Sequence, residues 1–410
     1  MSTKSSGSGY ELLALPQFRE LWIANLSSSL GSVMIMLAAS WLMTSMTRNA
    51  LLVALVQTSV SIPFFFFSIP AGIINDLFGY RRILLIAHVE MIIPTALLGL
   101  LAWQGRLSPW VLLVLLFFIG VGTVIHQSSW KTLLQDLVPT EQSMAAVSLN
   151  SLSNKIGQAV GPMIGGSLMG FAGGILIFAA RVVSHLIMIL QLGRIPKPVI
   201  PVANDPFSLA NLMRFFGEGW GYLCDSPAIR GPMIRCALFM GPCAGMLALL
   251  PLEARENIQT GVIGYGGLLA ALGSGTSLGS GLMPMLHRNF STGPMTSMAL
   301  AAFSLCVLGV SQWDSMLLDA IFLFLGGFSW SILTVSHQVS VQISSPDKLR
   351  GRLTSFYMLT LQGSMALGSF LFGWIADCIG VSGSIMCSGL VAMSGLLLVK
   401  KYPLVAGTSS

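Results

Sequence analysis

The sequence predicts an all-α membrane protein, with twelve transmembrane helices in two pseudo-symmetric six-helix bundles. Three observations carry this. Only 9% of the 410 residues are charged and 54% are hydrophobic, whereas a soluble domain carries about 25% charged residues. A large soluble core would not remove that charge, because its surface would still need it; lipid-facing surface would. Apolar stretches of the roughly 20 residues needed to cross a bilayer recur twelve times. The two halves of the chain also repeat each other at a fixed offset.

Spans are read near 21–46, 50–75, 83–103, 109–133, 143–170, 173–193, 231–252, 262–286, 294–312, 315–340, 352–376 and 379–399. Between the fifth and sixth, Gly170, Gly173 and Gly174 are the only punctuation. With both termini in the cytoplasm, the inside segments hold Lys4, Arg19, Arg81, Arg82, Arg194, Lys197, Arg214, Arg230, Arg288, Lys348, Arg350, Arg352, Lys400 and Lys401. The outside loops hold only Arg48, Arg106 and Arg255. That asymmetry is the positive-inside pattern, and it requires an even number of spans. It also accounts for the net charge of +6 without nucleic acid, which is not an expected partner.

The longest connection, 194–230, is rich in proline and then turns amphipathic around Leu209–Leu223. It reads as a cytoplasmic linker on the membrane surface between a bundle at 1–193 and a bundle at 231–410. Six cysteines are scattered without a CxxC pair or a Cys/His cluster, so no disulfide, metal or cofactor is expected. The first nine residues are small and polar; the first span, rather than a cleaved leader, is expected to direct insertion.

At an offset of 207, Gly72 meets Gly279, Arg81 meets Arg288, Gly120 meets Gly327, Gln135 meets Gln342 and Pro139 meets Pro346. Ser148 and Ser355, Gly161 and Gly368, and Gly166 and Gly373 follow at the same offset. One offset holding across loops and spans implies two parallel six-helix halves with a site between them near the midplane.

After the second span, Gly72-Ile-Ile-Asn-Asp76-Leu-Phe-Gly79-Tyr-Arg81-Arg82 resembles the GxxxDRxGRR signature of the major facilitator superfamily, departing at Leu77 and Tyr80. The resemblance implies a conformational-gating role for Gly72, Asp76, Gly79, Arg81 and Arg82; the alternative is a basic turn that only sets topology. The second-half counterpart has Met283 in place of an acid. In the fifth span, Gly157-Gln-Ala-Val-Gly161-Pro162-Met-Ile-Gly165-Gly166 resembles the GxxxGPxxGG signature of the superfamily's exporters. Its glycines recur every four residues and form a groove for close packing, and Pro162 removes a backbone hydrogen bond. A generic small-residue ridge is the alternative. The stretch from Asp347 through Arg350-Gly351-Arg352 to Tyr357, followed by Gly368, Gly373, Asp377 and Gly380, resembles the enterobactin-exporter-like branch. With Pro16-x-Phe18-Arg19, the resemblance covers nearly the whole chain. Proton-coupled drug exporters of the superfamily often carry an arginine four residues before a glycine in the fourth span. Taken from Gly120, that position is Leu116, so coupling through such an arginine is not expected.

Ionisable groups inside a bilayer are costly and are functional candidates by default. Lys155 lies about twelve residues into the fifth span, near the midplane at 1.5 Å per residue. With Ser148, Ser151 and Gln158 it forms a polar stripe at helical spacing. Lys155 and Gln158 are candidates for substrate or coupling, with a structural partner role as the alternative for Lys155. Asn25 and Ser29 belong to a polar stripe on the first span with Ser28 and Ser32, placed to line a cavity. His126 and His337 could titrate near neutral pH or serve as hydrogen-bonded packing groups. Glu90 and Arg181, counted from opposite faces, reach similar depths and are expected to form a structural ion pair. Asp319 is expected to be solvated at an outer helix end, and Arg235 to snorkel at an inner one.

The sequence Gly275-Thr-Ser277-Leu-Gly279 fits the GxSxG hydrolase pattern but sits in an apolar span without a strand-turn-helix context, so no enzyme is expected. No GxxxxGK[ST] loop is present, so ATP driving is not supported. The resemblance implies secondary export of a small organic solute by alternating access, with proton antiport as the energy source. Few acids and the presence of Lys155 and His126 favour an anionic or neutral polar solute. A siderophore comes first, broad drug efflux second and import third. A non-transporting scaffold is disfavoured because Asp76, Arg81 and Arg82 are kept. The implied setting is a monomer in the lipid bilayer of a bacterial cytoplasmic (inner) membrane.

Overall fold

The computed structural model describes residues 9–195, 209–346, 349–399, 401–402 and 404. A short α1 (Gly9–Ala14) precedes six long helices: α2 (Pro16–Met46), α3 (Ala50–Phe78), α4 (Tyr80–Trp103), α5 (Pro109–Asp136), α6 (Ser143–Ala172) and α7 (Gly174–Arg194). Helix α8 (Leu209–Asp225) follows, then α9 (Pro227–Leu252), α10 (Gly261–Asn289), α11 (Thr292–Val310), α12 (Met316–Ser344), α13 (Arg350–Ile379) and α14 (Val381–Val399). Among the described residues there is no strand.

Each of the twelve expected spans is a helix, and every expected end falls within five residues of the observed one. Most of the larger differences share a direction, the end of α13 being the exception. Helices α2, α3, α4, α5, α9, α10 and α12 all run further than expected on the face that carries the termini. A hydropathy reading stops at the first charged or polar residues. The backbone ladder continues through them, since Asn75, Arg81 and Asp136 are helical in spite of their polarity. Ten of the twelve are apolar enough to cross a membrane by composition; the two others are α6 and α10. Both are rich in glycine and serine, and they pack closely on each other.

Short connections make neighbouring helices antiparallel. Gly79, at φ 77°, ends α3 and starts α4 with no further residue between them, a conformation that side chains with a Cβ rarely adopt. Gly173 and Gly380 make the same one-residue turn after α6 and α13, at φ 72° and 87°. These two glycines are 207 residues apart, so the repeat read in sequence is also a repeat of backbone geometry.

The halves meet along two seams, α6 with α10 and α3 with α13. Both are built from glycine. A Cβ on Gly266 would lie 2.6 Å from the Pro162 carbonyl oxygen, and one on Gly273 would strike the carbonyl of Gln158. On the other seam, a Cβ on Gly373 would lie 2.5 Å from that of Ala54. Gly166 and Gly373, equivalent by the repeat, each face the first turns of a helix from the opposite half. Gly161 and Gly368 each face the first long helix of their own half, at Val33 and Gly241.

Candidate functional site

On the N-terminal side, α2, α5 and α6 converge on Asn150. Its Oδ1 accepts from Asn25 Nδ2 at 3.1 Å and from Trp130 Nε1 at 2.8 Å, while Trp22 Nε1 donates to the Leu149 carbonyl at 2.8 Å. A small cavity between the three helices is lined by Asn25, Trp130 and Asn150. Asn150 was not among the sequence candidates, although it lies between Ser148 and Ser151 on the same helix.

Lys155 is half-buried. Its carbonyl oxygen accepts from Ser277 Oγ at 3.1 Å across the α6–α10 seam. No ion pair is made by its ammonium group among the described residues. Gln158 Oε1 accepts from Thr276 Oγ1 at 3.3 Å on the same seam. The rest of the stripe is turned inward on itself, since Ser148 and Ser151 donate to the carbonyls of Met144 and Val147. On α2, Ser29 packs its Oγ against Gly157, while Ser28 faces α7. The exporter-type stretch therefore serves two neighbours. Gly157, Gly161 and Gly165 receive Ser29, Val33 and Met34 of α2, and Gly166 with the Pro162 carbonyl meets α10.

Glu90 and Arg181 do not form the expected ion pair. Arg181 Nη1 donates to the Ser28 carbonyl at 2.5 Å and to Ser28 Oγ at 3.1 Å. Glu90 instead points at Gly122 of α5, with Oε2 buried and unpartnered. Matching depth was not enough, because each side chain turns to a different neighbouring helix. Asp319 is likewise corrected. It is fully buried, with neither carboxylate oxygen hydrogen-bonded. Arg235 does not snorkel, but is buried and donates to Thr296 Oγ1 at 2.9 Å. It shares a small cavity with His337, whose two ring nitrogens have no partner.

His126 has partners that no local spacing announced. His88 bridges it to His185, with ring nitrogens 3.1 Å from His126 and 2.9 Å from His185. Three of the chain's five histidines meet here, from α4, α5 and α7.

The gating-type segment is helical up to Phe78, and the surroundings of Gly72 and the side chain of Asp76 lie outside what is described. Arg81 donates through Nε to the Leu192 carbonyl at 2.8 Å and through Nη2 to that of Gly193 at 3.0 Å. It thus caps the C-terminal end of α7, where a cation is favoured by the helix dipole. Arg82 is exposed. Arg81→Gln is expected to lower stability by about 1 kcal/mol, the scale of a cation at a helix C-terminus. Thermal denaturation in detergent checks this.

The Arg350-Gly351-Arg352 segment opens α13. Arg352 pairs with Glu218 of α8, and Phe356 packs under Gly219 and near Trp220. Helix α8 is thereby fastened to α13.

At the opposite face, Asp377 near the end of α13 reaches the start of α3. Its Oδ1 accepts from the Ala50 amide at 2.7 Å and its Oδ2 from the Leu51 amide at 3.4 Å. Beside the other seam, Trp41 stacks on Tyr265 at 5.8 Å, and the Arg255 guanidinium lies over Trp41 and donates to Thr44 Oγ1 at 3.2 Å. These contacts close the two halves at that face. Ser277 of the GxSxG match is mid-helix in α10, donating to the Gly273 and Lys155 carbonyls, so it occupies no strand-to-helix elbow.

Residues 7–410 match the family described as "Transmembrane secretion effector". Macrolide efflux protein A of Streptococcus pyogenes is 23% identical over 384 residues, covering 91% of this chain and 92% of the relative. Enterobactin exporter EntS of Shigella flexneri is 23% identical over 392 residues, covering 94% and 90%. The solved structure of a bacterial homologue of the human lysosomal transporter Spinster, inward-facing and unoccupied, superposes with a TM-score of 0.69 at 14% identity, covering 98% of this chain and 97% of that one. At that identity the likeness shows the fold alone. Relatives and structural neighbours are transporters rather than enzymes, and the chain is a multi-pass, exporter-like transporter of small molecules. With a family match over nearly its full length and the fold to go with it, the chain belongs to the transmembrane secretion effector family of the major facilitator superfamily.

Proposed function

We propose that the protein exports a small organic solute, foremost a siderophore, from the bacterial cytoplasm by proton antiport. It would act as a monomer in the cytoplasmic membrane, with both termini inside. The bundles at 1–193 and 231–410, joined by the linker at 194–230, would rock about a site near the midplane. Lys155 carries this reading. A half-buried lysine midway along a spanning helix, with no ion pair among the described residues, is a standing attraction for an anionic or polar solute. The absence of any acid in α2 beyond Glu20 supports the same choice. The similarity to an enterobactin exporter supports the siderophore, and that to a macrolide efflux protein supports drug efflux as a second reading.

The test is metabolite profiling of culture supernatant and cytoplasm under iron limitation. A deletion strain and a Lys155→Gln strain are each compared with wild type. A siderophore retained inside and missing outside in both strains is the expected result. No iron-dependent change would remove the siderophore reading, and a fall in macrolide resistance in the same strains would install drug efflux in its place.

A further inference from the structure

We propose that Arg235 and His337 hold one small monovalent anion, chloride, inside the C-terminal bundle. Both side chains are buried, at 5% and 1% exposed, and both line a small cavity between α9, α11, α12 and α14. The rest of the lining is apolar, with Phe239, Leu300 and Leu333 in it. The two polar groups are incompletely used. Arg235 Nη2 donates to Thr296 Oγ1 at 2.9 Å, but Nη1 is buried with no hydrogen bond. Both ring nitrogens of His337 are likewise buried and unpartnered. A neutral imidazole carries one N–H, so whichever nitrogen holds it, that donor is unused.

Charge decides what fits between them. A guanidinium is not deprotonated in a protein, and a buried charge is costly unless it is paired. Thr296 supplies no counter-charge. Its hydroxyl donates to the carbonyls of Thr292 and Gly293, at 2.8 and 2.9 Å, and so meets the arginine as a neutral acceptor. No acid occurs in α9, α10, α11 or α14. The single acid of α12, Asp319, and that of α13, Asp377, are at the opposite ends of those helices, and Asp377 is held by α3. On α8, Glu218 pairs with Arg352, and Asp225, just before α9, is exposed. Arg235 is therefore a buried cation with no acid beside it among the described residues. Water satisfies free N–H groups but leaves the charge unmatched; an anion does both.

The donors narrow the class of anion. Arg235 Nη1 and one imidazole N–H are too few for the several oxygens of a phosphate or sulfate, and apolar walls suit a spherical, weakly hydrated ion. Arg235 and His337 each lie about two helical turns from the ends of α9 and α12 on the face that carries the termini. Arg230, Arg288 and Arg350 are exposed at that face, and a surface of one sign concentrates ions of the other. The cavity belongs to helices of the C-terminal half and not to the α6–α10 or α3–α13 seams. The ion is thus a resident that ties α9 to α12 within one bundle, not the solute carried between the two.

Thermal denaturation of the full chain in detergent tests this, in chloride against gluconate at one ionic strength. The melting temperature of wild type is expected to rise with the logarithm of chloride concentration, since chloride at 100 times its dissociation constant favours the folded state by about 100-fold. Arg235→Met is expected to lose that dependence. It should also melt at or above wild type in gluconate, because the unpaired buried charge is gone and an apolar chain packs in its place. Any general salt effect acts on both proteins, so their difference belongs to the site. His337→Leu, which keeps the charge and removes the N–H, is expected to weaken chloride binding about 10- to 100-fold, the scale of one hydrogen bond to a charged group. Equal melting of wild type in chloride and gluconate, a dependence that survives Arg235→Met, or undiminished affinity in His337→Leu would overturn the site. Should Arg235→Met not fold, bromide in crystals of wild type decides. An anomalous peak between Arg235 and His337 is expected, and bromide at the surface alone would overturn the site. No transport is measured, so the result stands apart from the choice of solute.

Discussion

Gly273→Val is expected to cost more than any other change described above. The α6–α10 seam has no side chain at this point to give way. A Cβ on Gly273 runs into the carbonyl of Gln158, and the next nearest atoms are the Gln158 carbonyl carbon and the Ala159 amide. Backbone cannot rotate aside as a flexible side chain can, so the two helices must part. Overpacking of a well-fitted interior costs about 1–3 kcal/mol, occasionally more, and contact with backbone belongs at the top of that range. Parting the helices would also break the bonds from Thr276 to Gln158 and from Ser277 to the Lys155 carbonyl. The readouts are yield of monodisperse protein, thermal stability and transport. Gly281→Val is the control, because a Cβ there meets nothing. If Gly273→Val matches that control, the seam is looser than described.

The second large effect is expected at Asp377. Its carboxylate holds the first two amides of α3 from the opposite half of the chain, where a helix has free N–H groups and a favourable field for an anion. Hydrogen bonds to charged groups contribute about 1.5–3 kcal/mol, and every 1.4 kcal/mol is a factor of about ten in a population ratio. Asp377→Ala is therefore expected to shift the balance towards the form open at this face by about ten- to a hundredfold. Asp377→Asn, which keeps an acceptor but loses the charge, should fall between. Distances between spin labels at positions 106 and 313, on exposed loops of the two halves, would report the shift. Unchanged distance distributions in the alanine variant would show that the contact does not govern closure.

Much of this fold was legible in sequence because a membrane imposes period, length and charge asymmetry on each helix separately. The turn at Gly173 was marked only by its glycines: the sixth span was read as starting at 173, where the structure has the one residue between α6 and α7. The site was less legible, because its partners come from distant positions. His88 and His185 are 97 residues apart, and Asp377 and Ala50 are 327 apart. No periodicity links such pairs, so only packing reveals them. The Glu90–Arg181 expectation shows the limit from the other side. Depth can be counted along a helix, but the direction in which a side chain turns depends on its neighbours, and Ser28 took the arginine. Five histidines in a chain of 410 residues, three of them within spans of the N-terminal half, were the one available hint of a cluster.

The two seams differ in a way the repeat makes easy to state. The position equivalent to Asp377 at the offset of 207 is Gly170, which meets Ile263 with no charge to offer. One jamb of the door carries a carboxylate bolt; the other is a close-fitting glycine face, with the Arg255–Thr44 contact set beside it rather than in it. Separation would begin where α3 leaves Asp377, with the glycine faces of α6 and α10 turning on each other as the hinge. A path opened in that order would bring the aqueous phase to the α3–α13 side first, so a solute would leave by one flank of the molecule rather than along its centre.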